Sequence, residues 1–295
     1  MTLIILTARP EIATNRRLAE AAQTAGFDAV IVDASRTTAE IRDGRAVLRV
    51  ERSDLLDPRP AGILARIGNW RPETLLATLE VAVAGGVFTP NSPEAIRLGR
   101  DHWRTILCLG AAGIAAPGTM AGMDPEATAV AAAERFGFPV VVKVRRSRMG
   151  VGVILCRQLD HLESVLDSLW RVGDEFIVQQ FIPPGGTSVR AVVVGGRVVA
   201  AARFDAGSDE WRSNGARGAT AHGITLDTVE TEMAIAAAQA TALGVCGVDL
   251  LSGPQGPVVC EVNPTAGFVR LEKATGIDVA GAVVRFAVKR ADQPG

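Results

Sequence analysis

The sequence predicts an α/β protein that passes to α+β in its C-terminal part. Three observations predict it. Residues 1–90 read as strand, helix and strand in succession, PVVVKV at 139–144 reads as a buried strand set among helical patterns, and two hairpins flank a long helix after residue 182. At 295 residues the chain exceeds the usual single domain, and its 48% hydrophobic content can fill more than one core.

The elements follow in order. Leu3 to Leu6 is a short apolar strand, Asn15 to Ala25 a helical pattern closed by Gly26, and Ala29 to Val32 a second strand, so a parallel βαβ unit opens the chain. A strand near residues 62–67 and a helix over 73–84 extend it to about residue 90, where Thr89-Pro90-Asn91-Ser92-Pro93 punctuates the chain. A second module, 91–181, starts with helices, with Asp101 as an N-cap, and passes a hinge-like stretch from Gly113 to Asp124. It continues with a helix over 126–136, the strand at 139–144, a turn at 145–150, a strand ending at Cys156, a helix over 160–171 and a strand at 176–181. A third module, 182–295, holds a hairpin joined at Gly195-Gly196, a helix near 227–243 and a second hairpin over about 247–263.

Composition excludes several classes. A net charge of −1 gives no global reason to expect nucleic acid or an anionic membrane as partner. No apolar run reaches the roughly 18 residues of a membrane span, and the N-terminus lacks a signal-peptide pattern, so a cytoplasmic protein is expected. Cys108, Cys156, Cys246 and Cys260 form no CxxC pair and read as reduced thiols. There is no GxxxxGK[ST], HExxH or GxSxG, and no GxGxxG follows the first strand.

Three constellations carry chemistry. In GVDLLSGPQGPVVCEVN, alternation puts Val258, Cys260 and Val262 on one strand face and Glu261 and Asn263 on the other. A turn at Ser252–Pro257 brings Asp249 close to opposite Glu261. Facing carboxylates need neutralising, and a hard divalent cation does that, although the spacing fits a solvated polar face equally well. Lys143 sits alone in a buried strand, where a charge needs a partner such as a phosphate or a structural carboxylate. After it, Arg145-Arg146-Ser147-Arg148-Met149-Gly150-Val151-Gly152 offers free backbone amides and guanidinium donors to an anion. Arg212-Ser213-Asn214-Gly215-Ala216-Arg217-Gly218 is a polar loop suited to an anion or simply to the surface.

The ordered set of Lys143, the glycine-containing turn, Phe176–Ile182, Arg190, Arg212-Ser213-Asn214, Asp249 and Glu261-Val262-Asn263 resembles the ATP-grasp superfamily. Within it the set resembles the group of RimK, the ribosomal-protein glutamate ligase, with LysX and coenzyme glutamate ligases as relatives. Asn15-Arg16-Arg17-Leu18, Arg66-Ile67-Gly68 and the stretch 272–281 extend the likeness over nearly the whole chain. The resemblance implies an ATP-grasp fold behind a Rossmann-like pre-ATP-grasp domain. It also implies an ATP- and Mg2+-dependent ligase that joins a carboxylate to an amine through an acyl phosphate, with an amino acid such as glutamate as one substrate. By it, Lys143, His102, Gly150, Ser188, Arg212, Ser213 and Asn214 contact nucleotide, and Gln180, Phe181 and Ile182 line the adenine. Arg190, Arg212 and Asn214 act on the phosphoryl or acyl-phosphate group, and Asp249, Glu261 and Asn263 bind one or two magnesium ions, with manganese as a substitute. The second substrate would be a protein tail, an acidic carrier protein or a small metabolite, and the enzyme a dimer or tetramer.

The sequence departs from the pattern of the resemblance where a usual lysine is His102, a usual glutamate Gln180 and a usual aspartate Ser188. These departures motivate the alternative of a non-catalytic ATP-binding regulator. The arginine-rich turn 145–148 suggests recruitment of an acidic partner.

Overall fold

The computed structural model describes residues 1–68, 72–146, 152–207, 210–213 and 218–289. Strand β1 (Thr2–Thr7) runs into helix α1 (Ala13–Thr24) and β2 (Asp28–Asp33), which pairs with β1 in parallel from Thr2↔Asp28 to Thr7↔Asp33. Next comes an antiparallel sheet that the sequence reading does not anticipate: β3 (Thr37–Arg42), β4 (Arg45–Val50) and β5 (Ser53–Asp54). Its tight turn is Asp43-Gly44, both with positive φ, a pairing of residues that favours two-residue hairpins. Strand β6 (Gly62–Arg66) then pairs with the other edge of β1, and α2 (Pro72–Ala84) covers the sheet. Both faces of this parallel sheet are buried. Ile4 and Leu6 pack with Leu75, Leu76 and Leu79, while Leu3, Ile5 and Leu64 pack with Leu18 and Ala22.

Helix α3 (Pro93–Gly99) starts at the side-chain cap of Ser92, and α4 (His102–Ala111) at that of Asp101. Strand β7 (Thr119–Met120), helix α5 (Pro125–Phe136), β8 (Val140–Val144), β9 (Val153–Cys156), α6 (Leu159–Arg171) and β10 (Phe176–Gln180) follow, forming a sheet of order β7-β10-β8-β9. Period-2 alternation sends Val140 and Val142 into a core with Ala129, Ala132, Leu162 and Leu166, and turns Val141 and Lys143 to the opposite face.

Strands β11 (Thr187–Val194), β12 (Arg197–Asp205) and β13 (Thr220–Ile224), helix α7 (Thr228–Ala240), and β14 (Val245–Gly253) and β15 (Gly256–Asn263) build an antiparallel sheet of order β13-β12-β11-β14-β15. A capping box of Asp227 and Glu230 starts α7, whose Ala234, Ala237 and Ala238 pack in one core with Ala191, Val193, Val248 and Val262 of the sheet. Helices α8 (Val269–Thr275) and α9 (Val279–Lys289) return to fill the space between the other face of this sheet and the N-terminal parallel sheet. Asn91 ties these parts together: its Nδ2 donates to Val245 O at 2.7 Å and Pro264 O at 3.2 Å, and its Oδ1 accepts from Val245 N at 2.9 Å. Among the described residues, no helix is long and apolar enough to cross a membrane.

One expectation about the last hairpin is corrected. Asp249 does face Glu261, but the register slips between Asp249 and Leu250, so Leu250 opposes Val259 and Cys260 is the extra residue of a bulge. The core therefore takes Val259 and Val262, and Cys260 does not share a buried face with Val258 and Val262. It joins the wall of a cleft together with Glu261.

Candidate functional site

A cleft holding about 910 Å³ of empty space lies between the four-stranded and five-stranded sheets. Of the residues singled out from sequence, His102, Lys143, Gln180, Phe181, Ile182, Ser188, Arg212, Ser213, Asp249 and Glu261 all line it. Arg190 borders it through Asp249, and Asn263 sits two residues beyond Glu261 on the same strand. Gly150 and Asn214 lie outside the described residues, as does Arg148.

One wall is β8. The Lys143 ammonium is buried, 7% exposed, and its polar contact among the described residues is Cys260 Sγ at 3.4 Å. Burial raises the pKa of that thiol, so it is a neutral neighbour and not a counter-ion. The sequence left a structural carboxylate open as the partner of Lys143, and no ion pair of this kind forms among the described residues.

The facing wall is β14 and β15. Asp249 and Glu261 are register partners on the face turned to the cleft. Burial, and then the charge of Asp249, raise the Glu261 pKa against the pull of Arg190 and Lys143. Arg190 grips Asp249 in a two-pronged pair, Nε to Oδ1 at 2.6 Å and Nη2 to Oδ2 at 2.5 Å. Burial works against the guanidinium charge, but the Asp249 carboxylate outweighs it and holds the Arg190 pKa above its ordinary value. Asn263 Oδ1 accepts from Thr265 N at 2.9 Å and from Thr265 Oγ1 at 3.4 Å.

The donor set fits a hard divalent cation. Two carboxylates and an amide oxygen project from one face of adjacent strands, and oxygen donors of this kind suit such an ion. Among the described residues, no group of three His, Cys, Asp and Glu side chains comes together.

Asp101 and the arginine-rich turn shape the remaining edge. Arg145 Nε donates to both Asp101 oxygens at 2.9 Å, and its Nη1 to Glu175 at 3.1 Å. Burial alone would raise the Asp101 pKa, yet these guanidinium bonds hold the carboxyl below its ordinary range. Arg145 is thus committed inside the chain, and Arg146 lies 3.6 Å from Asp101 and 3.8 Å from Glu175, while Arg148 of the same turn lies outside the described residues. Asp101 in turn caps the helix that delivers His102. Burial, and then the Lys143 charge, push the His102 pKa down to about 3, so the imidazole is neutral at pH 7.

Arg212 also has a local partner. It pairs with Glu210 at 2.9 Å, donates to Val153 O at 2.9 Å, and lies over the Trp211 ring at 5.5 Å. It thereby joins the 210–213 loop to β9. Trp211 packs edge-on against Phe181, with ring centroids 6.1 Å apart.

Sequence reasoning missed Gln179, Trp211 and Cys260, which also line the cleft. Gln179 is buried and donates to Thr119 at 3.0 Å. A signal for this wall existed in Gly185-Gly186. Gly185 has φ +77°, and a Cβ there would sit 2.9 Å from the Phe181 ring.

Two sheets closing on a cleft, with a buried lysine on one side and paired carboxylates on the other, define an ATP-grasp carbon–nitrogen ligase. The chain belongs to the RimK-like ATP-grasp family and is an ATP-dependent carboxylate–amine ligase. The RimK-like ATP-grasp domain matches residues 99–287, and the RimK PreATP-grasp domain matches residues 1–96. A protein of Thioalkalivibrio sulfidiphilus named "Probable alpha-L-glutamate ligase" is 34% identical over 292 residues, 99% of this chain and 96% of that one. A protein of Rhodopirellula baltica with the same name is 34% identical over 295 residues, 100% of this chain and 72% of that one. Among solved structures, a RimK domain ATP-grasp protein from Sphaerobacter thermophilus superposes with a TM-score of 0.74 at 25% identity, covering 97% of this chain and 99% of that one. The ATP-grasp ligase PsnB, complexed with a minimal precursor, shares the fold with a TM-score of 0.76 at 20% identity, covering 97% and 98%.

Proposed function

We propose that this ligase binds ATP and Mg2+ in the cleft, activates a carboxylate as an acyl phosphate, and joins it to an amine, with glutamate as the amino-acid substrate. The observation that carries the reading is Lys143, buried without a counter-ion among the described residues, across the cleft from the facing carboxylates Asp249 and Glu261. The names of the relatives support glutamate, and a PsnB complex with Mg and ADP supports the nucleotide and the ion.

In this reading Gln180, Phe181 and Ile182 cover the adenine, with Trp211 packed edge-on behind Phe181. Lys143 settles the phosphate charge, and His102, neutral, offers a hydrogen bond in place of a second cation. Ser188, Arg212 and Ser213 line the phosphate path, joined by Gly150 and Asn214 from their places in the sequence. Asp249, Glu261 and Asn263 would hold one or two magnesium ions, and manganese would serve in their place. The ion supplies charge neutralisation to the transferring phosphoryl group. Arg190, anchored on Asp249, presents its fork beside that charge, where donors fixed in advance stabilise oxygen anions best. The carboxylate oxygen bonds to the γ-phosphorus as the bond to ADP breaks. The amine nitrogen then bonds to the acyl carbon, phosphate leaves, and the amine proton passes to solvent.

The relatives are ligases and the cleft keeps its charged set, so the catalytic reading stands over the non-catalytic regulator. The test is ADP release with Mg2+-ATP, L-glutamate and candidate acceptors, repeated with hydroxylamine. A hydroxamate that forms only with the carboxylate substrate supports the acyl phosphate. Nucleotide turnover that yields no hydroxamate and no amide with any acceptor rejects it.

A further inference from the structure

A second cavity lies apart from the nucleotide cleft. It is lined by Arg66 with Leu64, Asn91, Val192, Val245 and Ala266. Arg66 ends β6, on the face shared with Leu64 and turned toward the five-stranded sheet. Its Nε is buried with no hydrogen-bond partner, and Arg66 forms no ion pair among the described residues. The other polar side chains at the cavity are engaged: Asn91 with Val245 and Pro264, and Thr89 Oγ1 by donating to Asn91 O at 3.1 Å. Burial lowers the Arg66 pKa to about 10, which leaves it charged at pH 7 and in an environment that penalises that charge. Arg66 as a whole is half-buried, but a guanidinium nitrogen sealed from water without a partner is costly for a fold to keep. It lacks an anion, and the planar fork suits a carboxylate.

The position of this cavity ties it to the reaction. The C-terminal ends of strands in a parallel sheet face ligand crevices, and Arg66 is such an end. Val245, Asp249 and Leu251 share one face of β14, the first at this cavity and the others at the nucleotide cleft. On β11, Val192 and Ser188 do the same. The two spaces are thus about 13 Å apart along either strand, at roughly 3.3 Å per residue, with the Arg190–Asp249 pair between them.

We infer that Arg66 anchors the carboxylate of the amino-acid substrate that stays outside the new bond, while its reacting end points along the sheet toward Arg190. The inference rests on the proposed reading of the chain as a ligase acting on an amino acid. Arg66 is then a substrate-binding and specificity-determining residue supplied by the N-terminal sheet, and an amino acid without a second carboxylate is selected against.

The test uses wild type and Arg66→Met, each saturated with a nonhydrolysable ATP analogue and Mg2+, titrated by calorimetry with L-glutamate, L-glutamine and L-isoglutamine. The expected result is L-glutamate binding about tenfold or more weaker on Arg66→Met, the scale of a lost charged hydrogen bond. One of the two monoamides should bind wild type and variant equally weakly. Nucleotide affinity should be the same in both proteins, and the melting temperature without ligands should be no lower in the variant, because the removed charge is unpaired. If Arg66→Met fails to fold, Arg66→Lys carries the test: it keeps the charge, loses the fork, and should show the same selective fall. Equal L-glutamate affinity in wild type and variant overturns the inference, as does an equal loss for nucleotide. L-Glutamate that fails to bind wild type while nucleotide binds also overturns it, and leaves the ligase reading standing. Failure of wild type to bind Mg2+-nucleotide at all removes that reading first.

Discussion

Replacing Glu261 by glutamine should make the protein at once more stable and inactive. Glu261 and Asp249 are register partners on one sheet face, and burial together with Asp249 raises the Glu261 pKa. Like charges directly opposed across a ladder cost about 0.2–1 kcal/mol. At about 2–4 °C per kcal/mol for a chain of roughly this size, Glu261→Gln should raise the melting temperature without ligands by about 0.4–4 °C. The amide keeps the shape and loses the charge that a divalent cation needs. With an ATP analogue, millimolar Mg2+ should stabilise wild type by about 3 kcal/mol at a hundredfold excess over its dissociation constant, and should move Glu261→Gln far less. Differential scanning fluorimetry over a Mg2+ series gives both numbers, and ADP release gives turnover. A lower ligand-free melting temperature, or an undiminished Mg2+-dependent shift, would refute the assignment of Glu261 to an ion rather than to the fold.

Further outcomes follow from the same geometry. Lys143→Met should weaken Mg2+-nucleotide binding by about 10- to 100-fold in calorimetry, the scale of a lost hydrogen bond to a charged group, with ligand-free stability unchanged or higher because Lys143 has no carboxylate partner to lose among the described residues. Asp101→Asn should cost about 1–3 kcal/mol in urea unfolding at pH 7 through lost bonds to Arg145. The folded-state pKa of Asp101 is depressed, so its stabilisation is present above the unfolded value near 3.8 and is lost as pH falls through the lower folded value; the gap between wild type and variant should close only in that acid range. Gly185→Ala should lower the melting temperature by about 2–8 °C, from the roughly 1–2 kcal/mol cost of a side chain at φ +77°, and should weaken nucleotide binding as the Phe181 ring is displaced.

Much of this site was legible in the sequence because it depends on short-range counting. A hairpin turn near Ser252–Pro257 fixes Asp249 against Glu261, and a strand with one lysine marks Lys143. The bulge at Cys260 was not legible, since strict alternation is the only rule that a bare strand offers and a bulge breaks it through packing with Val248 and Leu250. The partners of Arg145 were hidden for another reason: Asp101 and Glu175 lie 44 and 30 residues away and meet it only once the sheet forms. Arg66 was visible as a motif, but only burial shows that its Nε has no partner. The β3–β4 hairpin was missed although Asp43-Gly44 announces it, because β3 is polar and mostly exposed and β4 buries only Val47 and Leu48.

The central claim is that Lys143 and the Asp249–Glu261 pair hold the phosphates and the ion of one nucleotide between them. Crystals grown with a nonhydrolysable ATP analogue and Mn2+ test it, with anomalous scattering locating the metal. The account predicts a manganese peak bonded to Asp249 and Glu261 and a phosphate oxygen within hydrogen-bond distance of Lys143 Nζ. Nucleotide bound outside this cleft, or a metal peak away from both carboxylates, would contradict it.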